Sequence, residues 1–325
     1  MPFNRIIPKS DLEPFLPTLA QQIQDSDAIA CLNHLQRQLV TVSALVTGEP
    51  PVTVPTAVMA TGKPTPAGSA PLILLPGFDS SALEFRHLIP YLAPHKATYA
   101  LDVLGIGFTA YMPSIAIAPS TIRQHLYATW RQLINRPVVL LGASLGGAIA
   151  IDFALRHPDC VERLILVDSV GFSGSFPLGQ YLDASLLTWG ADWLQFRKSM
   201  AFQAAAMLPF TGSSQTDKIL CAMLHQTMPG WKQGIVSFTR SGGYSDLAPQ
   251  IASIQQPTLI LWGDRDRTLG TEDAWRFKRA LPRSRLVWIT GAGHAPHIDA
   301  PEATAEAILQ ELEEERMWGH DDKIR

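Results

Sequence analysis

The sequence predicts an α/β fold, a mostly parallel sheet flanked by helices with an inserted helical lid, and three observations predict it. From Pro71 onward, short apolar runs alternate with helical patterns, as they do when a parallel sheet is covered on both faces. One such run, Val138-Val139-Leu140-Leu141, leads directly into Gly142-Ala143-Ser144-Leu145-Gly146-Gly147 and then into a helical pattern, which is the strand, sharp turn and helix of a nucleophile elbow. Between Asp168 and Pro257 lie roughly ninety residues where a simple βα unit needs about thirty, so an insertion is implied.

Taken in order, residues 16–39 place Leu19, Ile23, Ala30, Leu35 and Leu39 near helical spacing and predict an amphipathic helix. Residues 39–46 and 52–59 are β-rich runs around Gly48-Glu49-Pro50-Pro51, which predicts a leading antiparallel hairpin followed by a Gly/Pro loop over 61–69. Strands are then expected at 72–75, 97–101, 138–141, 164–167, 258–262 and 286–289. Helices are expected at 81–92, 119–134, 144–157, 271–280 and 301–317. The chain thus divides into 1–70 (helix and leading strands), a core of 71–170 with 247–325, and a helical lid at 171–246. The lid is rich in large apolar groups, among them Trp189, Trp193, Phe196, Met200, Trp231 and Phe238. Most are expected in its core, with some facing the nucleophile and lining a cavity.

Composition narrows the class. A net charge of −3 and 17% charged residues leave no basic patch for nucleic acid. Three cysteines, Cys31, Cys160 and Cys221, stand at wide spacings without a Cys-x-x-Cys pair, so neither a disulfide framework nor a zinc site is expected. The first seventeen residues carry prolines and charges where a signal peptide needs an apolar segment, and no run of about 18 apolar residues occurs. A soluble, cytoplasmic protein is the expectation; peripheral membrane contact and oligomeric state are left open.

The chemistry follows from what a serine needs. A hydroxyl is a poor nucleophile at neutral pH and requires a base, which a third group must orient. Ser144 is the candidate nucleophile. Gly291-Ala292-Gly293-His294 follows the last strand and offers His294 as base; His297 is expected to support the loop. Trp262-Gly263-Asp264-Arg265-Asp266 follows the preceding strand and offers Asp266 as the orienting acid, with Asp168 the second choice and Asp264 a turn residue. Acyl transfer also needs donors for the oxyanion. The amides of Leu145 and of Phe78, in Pro76-Gly77-Phe78-Asp79-Ser80-Ser81, are the candidates, with Ser80 as a helix N-cap. Asp102-Val103-Leu104-Gly105-Ile106-Gly107 lacks the third glycine of a dinucleotide loop, since position 110 is Ala110, and is expected to be a structural loop beside the site. No metal-ligand spacing occurs, so no metal or cofactor is expected.

With these residues placed, 71–317 resembles the α/β-hydrolase superfamily through the Pro76, Asp102, Gly142, Trp262 and Gly291 motifs quoted above. More narrowly, the stretches 77–85 and 237–244 look like those of uncharacterised cyanobacterial and plant-chloroplast hydrolases. The resemblance implies an α/β-hydrolase fold with an eight-stranded, mostly parallel sheet, an inserted helical lid, and cofactor-free action on esters. Pro76-Gly77 stands where many members have His-Gly. A serine nucleophile argues against the dehalogenase and epoxide-hydrolase branches, which carry aspartate there.

The expected function is a serine hydrolase of carboxylic esters working on small, bulky, apolar molecules through an acyl-enzyme. A C–C bond hydrolase or a thioesterase could use the same residues. A non-catalytic ligand receptor on this fold is the alternative of another class.

Overall fold

The computed structural model describes residues 15–43, 48, 50–63, 69–207 and 213–318. The end of the first expected strand (44–46), most of the Gly/Pro loop (64–68), Phe210 and the proline-containing stretch 1–14 lie outside the described residues. In chain order the elements are α1 (Ser26–His34), β1 (Leu35–Val42), β2 (Val52–Thr61), β3 (Leu72–Leu75), α2 (Ile89–Leu92), β4 (Thr98–Leu101), α3 (Pro119–Leu133), β5 (Val138–Ala143) and α4 (Leu145–Arg156). There follow β6 (Val161–Val167), α5 (Ala184–Met207), α6 (Ser213–Met223), α7 (Trp231–Arg240), β7 (Thr258–Gly263), α8 (Glu272–Ala280), β8 (Ser284–Ile289), α9 (Pro296–Asp299) and α10 (Pro301–Trp318).

All eight strands form one sheet, ordered β1-β2-β4-β3-β5-β6-β7-β8. β2 runs antiparallel to both neighbours, and the remaining pairs are parallel. The central strands read as unbroken apolar runs because both faces are covered. Period-two alternation sorts them: Ile73, Leu75, Leu140, Leu164, Leu166, Ile260 and Trp262 face α3, α4 and α8, whereas Leu72, Leu74, Val139, Leu141, Ile165, Leu259 and Leu261 face α1 and α10. Each such side chain, when fully buried, contributes about 1.5–3 kcal/mol. Parallel strands gather their carboxyl ends on one edge of the sheet, and the loops after β3, β5, β7 and β8 meet there.

Among the described residues that precede β3, strands β1 and β2 extend this sheet. The long N-terminal helix expected over 16–39 is shorter than its periodicity implied. A 3₁₀ turn at Thr18–Gln22 precedes α1, whose N-cap Asp25 accepts the amides of Asp27 and Ala28. The chain turns to strand at Leu35, where eight residues pair with β2 from Leu35↔Met59 to Val42↔Val52. Pairing overrode the local helical spacing. Arg86 Nε then donates to Asp25 Oδ2 at 3.1 Å and fastens α1 to the turn after β3.

Between β6 and β7 the insertion comprises α5, α6 and α7. Its bulkiest residues do not all form a core. On α5, Leu187, Ala191 and Ala205 are buried, while Trp189 is 65% exposed and Leu186, Trp193, Phe196 and Met200 are also exposed. The helix seats itself through small side chains and leaves an apolar stripe outside. Trp231, Gly234, Ile235 and Phe238 of α7 instead face inward. Among the described residues no helix is long and apolar enough to cross a membrane.

Candidate active site

Ser144 sits between β5 and α4 with φ 50° and ψ −114°, a conformation L-residues rarely adopt. The surroundings enforce it. Its amide donates to Val167 O (2.9 Å), and its carbonyl accepts from Gly147 N (3.0 Å) and Val170 N (3.0 Å). Gly142 and Gly146 permit the turn because a Cβ on the first would strike the backbone of Gly146 and Gly147, and one on the second the carbonyls of Leu75 and Pro76. The hydroxyl therefore projects at the start of a twelve-residue helix, whose positive end favours developing negative charge.

His294 is carried by the loop after β8. Asp264 Oδ1 accepts the amide of Gly291 (2.7 Å) and Asp299 Oδ2 that of Gly293 (2.9 Å), so the glycine-rich approach is fixed at both ends. His294 Nδ1 lies 2.9 Å from Asp266 Oδ2 and its Nε2 3.0 Å from Ser144 Oγ. The Asp266 carboxyl, fully buried, is held below its ordinary range: burial raises it, but His294 and the amides of Thr268 and Leu269 outweigh that. An ionised carboxylate can only accept, so Nδ1 carries a proton towards Asp266, and in that tautomer Nε2 is the acceptor for the serine hydroxyl.

Asp168 comes close without joining this chain. One of its carboxylate oxygens, one of Asp266 and a ring nitrogen of His294 lie within 4.8 Å of one another. Its Oδ1 accepts the amide of Gly263 at 3.1 Å, and burial together with the neighbouring Asp266 charge pushes its pKa up to about 9. At neutral pH it is a protonated carboxyl, unable to stabilise a positive imidazole, whereas Asp266 is ionised and in contact.

The loop after β3 passes directly over the serine. A Cβ on Gly77 would stand 3.4 Å from Ser144 Cβ. Gly77 N is held by Glu84 Oε1 (3.2 Å), whose other neighbour is His297 Nε2 at 3.3 Å. His297 therefore lies against the Glu84 side chain that holds this loop. The expected Ser80 cap is absent: Ser81 occupies the N-cap position without a side-chain bond, and the amide of Ala82 donates to Asp102 Oδ1 at 2.7 Å. Asp102 Oδ2 accepts the amide of Phe108 (2.8 Å), and Gly107 at φ 60° leaves room for that carboxyl. The Asp102 loop is pinned further by His125, whose Nδ1 accepts the amide of Leu104 and whose burial holds its pKa near 3, keeping the ring neutral.

Phe78 and Leu145 line one narrow cavity of about 10 Å³ with Ile117, Trp231, Ile235 and Phe238. That volume is room for roughly one water. The Phe78 ring lies 5.0 Å from that of Phe176 and 6.1 Å from that of Phe238, so insertion aromatics pack against the loop after β3. Outside α7, an open groove of about 550 Å³ shares only Ile117 with the inner cavity and carries Lys232 and Arg240 on its rim. Sequence reasoning missed Asp79, His225 and Gln226, which are joined here; the one available signal was a charged residue directly behind the Gly77-Phe78 turn.

A family model described as "Alpha/beta hydrolase family" matches residues 72–307. The chain is 31% identical over 244 residues to the Arabidopsis thaliana "Alpha/beta hydrolase domain-containing protein VTE7", covering 74% of this chain and 73% of the relative. It is 28% identical over 237 residues to a Pseudomonas putida "2-hydroxy-6-oxo-2,4-heptadienoate hydrolase", covering 69% and 80%. A solved thermophilic esterase from Thermogutta terrifontis superposes with a TM-score of 0.67 at 22% identity, covering 86% of this chain and 98% of that one, a likeness of fold.

Proposed function

The chain belongs to the alpha/beta hydrolase family, and from that premise we propose that it is a serine hydrolase of carboxylic esters with bulky apolar groups. The observation that carries the reading is the continuous chain from Asp266 through His294 to Ser144, at 2.9 and 3.0 Å.

Ser144 Oγ attacks the ester carbonyl while His294 Nε2 takes its proton. Asp266 holds the Nδ1–H and stabilises the imidazolium that results. The negative charge that develops on the carbonyl oxygen falls to the amides of Phe78 and Leu145, each worth on the order of 100- to 1000-fold in rate. His294 then protonates the departing alkoxide, leaving an acyl-Ser144. A water activated by the same histidine attacks that acyl group and restores the enzyme. The second carboxyl, Asp168, stays protonated and shapes the loop.

The preference for bulky apolar groups rests on Phe78, Ile117, Trp231, Ile235 and Phe238, which line the inner cavity together with Leu145, the residue after the serine. Because the cavity they enclose is so small, a large substrate must displace the insertion to enter. The segment 171–246 therefore acts as a lid, with Gly230 at φ 82° before α7 and Gly242 at φ 82° after it as the joints. Hydrolysis of p-nitrophenyl esters of rising chain length tests this: activity should climb from acetate towards longer acyl groups, and an acetate preference would overturn the apolar assignment.

A second reading has a specific observation behind it. The Pseudomonas putida relative is named a 2-hydroxy-6-oxo-2,4-heptadienoate hydrolase, and a C–C bond hydrolase could use the same residues. Were that this chain's reaction, a 2-hydroxy-6-oxo-dienoate would be consumed faster than any ester.

A further inference from the structure

Asp79 follows Phe78 directly, and the ester mechanism does not use it. Its carboxylate is only 5% exposed, and its backbone holds φ 52°, a conformation that side chains adopt only when their surroundings insist. Donors reach it from three separate parts of the insertion. Lys198 Nζ from α5 lies 2.8 Å away, and Trp231 Nε1 at the start of α7 lies 3.1 Å away. Between them, the turn Leu224–Thr227 supplies His225 Nε2 at 3.1 Å and Gln226 Nε2 at 2.8 Å. Lys198 Nζ also donates to the backbone carbonyl of Asp79 (2.8 Å) and to that of Ala222 (2.8 Å), so it grips the residue at both ends.

The charge states agree with this arrangement. Burial opposes ionisation of Asp79, yet His225 and Lys198 outweigh it and hold the carboxyl down to about 2. Burial in turn lowers His225, which stays neutral and donates through Nε2. A buried carboxylate with this many donors fixes geometry well, because removing any partner leaves a desolvated polar group behind.

We propose that Asp79 is a positioning residue that registers the insertion against the loop after β3, so that the Phe78 amide is aimed at the reacting carbonyl oxygen only while Lys198, His225, Gln226 and Trp231 are seated on its carboxylate. This rests on the reading of Phe78 as an oxyanion donor. Binding of the substrate's apolar groups against α7 would thereby be coupled to transition-state stabilisation. An ordinary structural ion pair would leave that aim untouched.

The test measures kcat and KM on the best p-nitrophenyl ester, together with affinity for an alkyl boronic acid, whose tetrahedral serine adduct places an oxygen in the oxyanion position. Asp79→Asn keeps the shape but turns an amide towards the donors. It should lower kcat by about 30- to 100-fold, as a misaimed donor does, with KM changed less than about threefold and boronate affinity falling in step with kcat/KM. Lys198→Met should lower kcat in the same direction, and the double variant should be no worse than Asp79→Asn alone. If Asp79→Asn fails to fold, Lys198→Met and Gln226→Leu carry the test. Wild-type kcat in the folded variants, or a loss confined to KM, overturns the proposal. A wild-type protein that neither hydrolyses esters nor binds boronate would instead overturn the hydrolase reading.

Discussion

The strand-end loops of the core and the helices of the insertion meet at the loop after β3, yet they are built on opposite principles. Around the serine, backbone meets backbone: Gly142 and Gly146 have no room for a Cβ, and Ser144 is tied to Val167, Val170 and Gly147 by its own amide and carbonyl. In the insertion, α5 leaves Trp189, Trp193 and Phe196 half or more exposed, and the attachment to the core combines the aromatic contacts of Phe78, the Asp79 carboxylate, and Leu220, Met223 and Leu224 buried in the core beside Leu83 and Phe85. The first region is over-determined and fixes the reacting groups. The second is held by side chains, through apolar, aromatic and polar contacts spread over several elements.

That contrast can be broken most severely at the base. His294→Gln should reduce kcat by at least about 10⁴-fold in ester hydrolysis, since loss of one member of a catalytic set removes nearly all its effect. A smaller but still large loss, about 10³- to 10⁴-fold, is expected for Asp266→Asn, while Asp168→Asn should stay within about threefold of wild type. The reverse order would exchange the two acids.

Asp168 sharpens the comparison through stability too. Its carboxyl is raised to about 9 in the folded chain, against roughly 3.9 when unfolded. Between those values the folded protein holds a proton that the unfolded chain has released, so Asp168 costs stability progressively as pH rises from about 4 to about 9. Asp168→Asn removes that cost, and its melting temperature should fall less steeply with pH over this window than that of wild type; an unchanged slope would show the residue ionised.

On the insertion side, effects should be smaller and selective. Phe238→Ala removes a ring beside Phe78 and from the cavity wall. It should cost long-chain esters about tenfold in kcat/KM while sparing acetate, because a pocket group of this size discriminates by a few kcal/mol at most. The smallest effect belongs to the exposed stripe: Trp189→Ser with Trp193→Ser should shift stability by no more than about 0.5 kcal/mol each in thermal unfolding, as exposed positions do. A large loss there would mean that α5 is packed more tightly than its exposure shows.

The same division decided what the sequence could convey. The β5 strand, the elbow and the order of Ser144, Asp266 and His294 were legible because backbone sterics leave few residues able to occupy a sharp turn, and glycine marks them. The apolar runs of the central parallel strands, β3, β5, β6 and β7, were legible because both their faces are buried. The N-terminal segment misled, since Leu35 and Leu39 fit helical spacing while β2 offered them a strand partner. Ser80 gave way as a cap because Asp102, twenty residues on from Ala82, reached its amide first. The insertion's faces were hidden for the same reason: which side of α5 is inward depends on neighbours its own sequence does not encode. Asp79 was invisible as a hub because its partners lie more than a hundred residues away.

The claim on which all of this turns is that Ser144 is a nucleophile activated by His294. Incubation of the full chain with a fluorophosphonate probe, followed by peptide mass spectrometry, reads that directly. The account predicts a covalent adduct on Ser144 that disappears in Ser144→Ala and is strongly slowed in His294→Gln. Absence of any adduct on the folded wild-type protein, or labelling undiminished in Ser144→Ala, would contradict it.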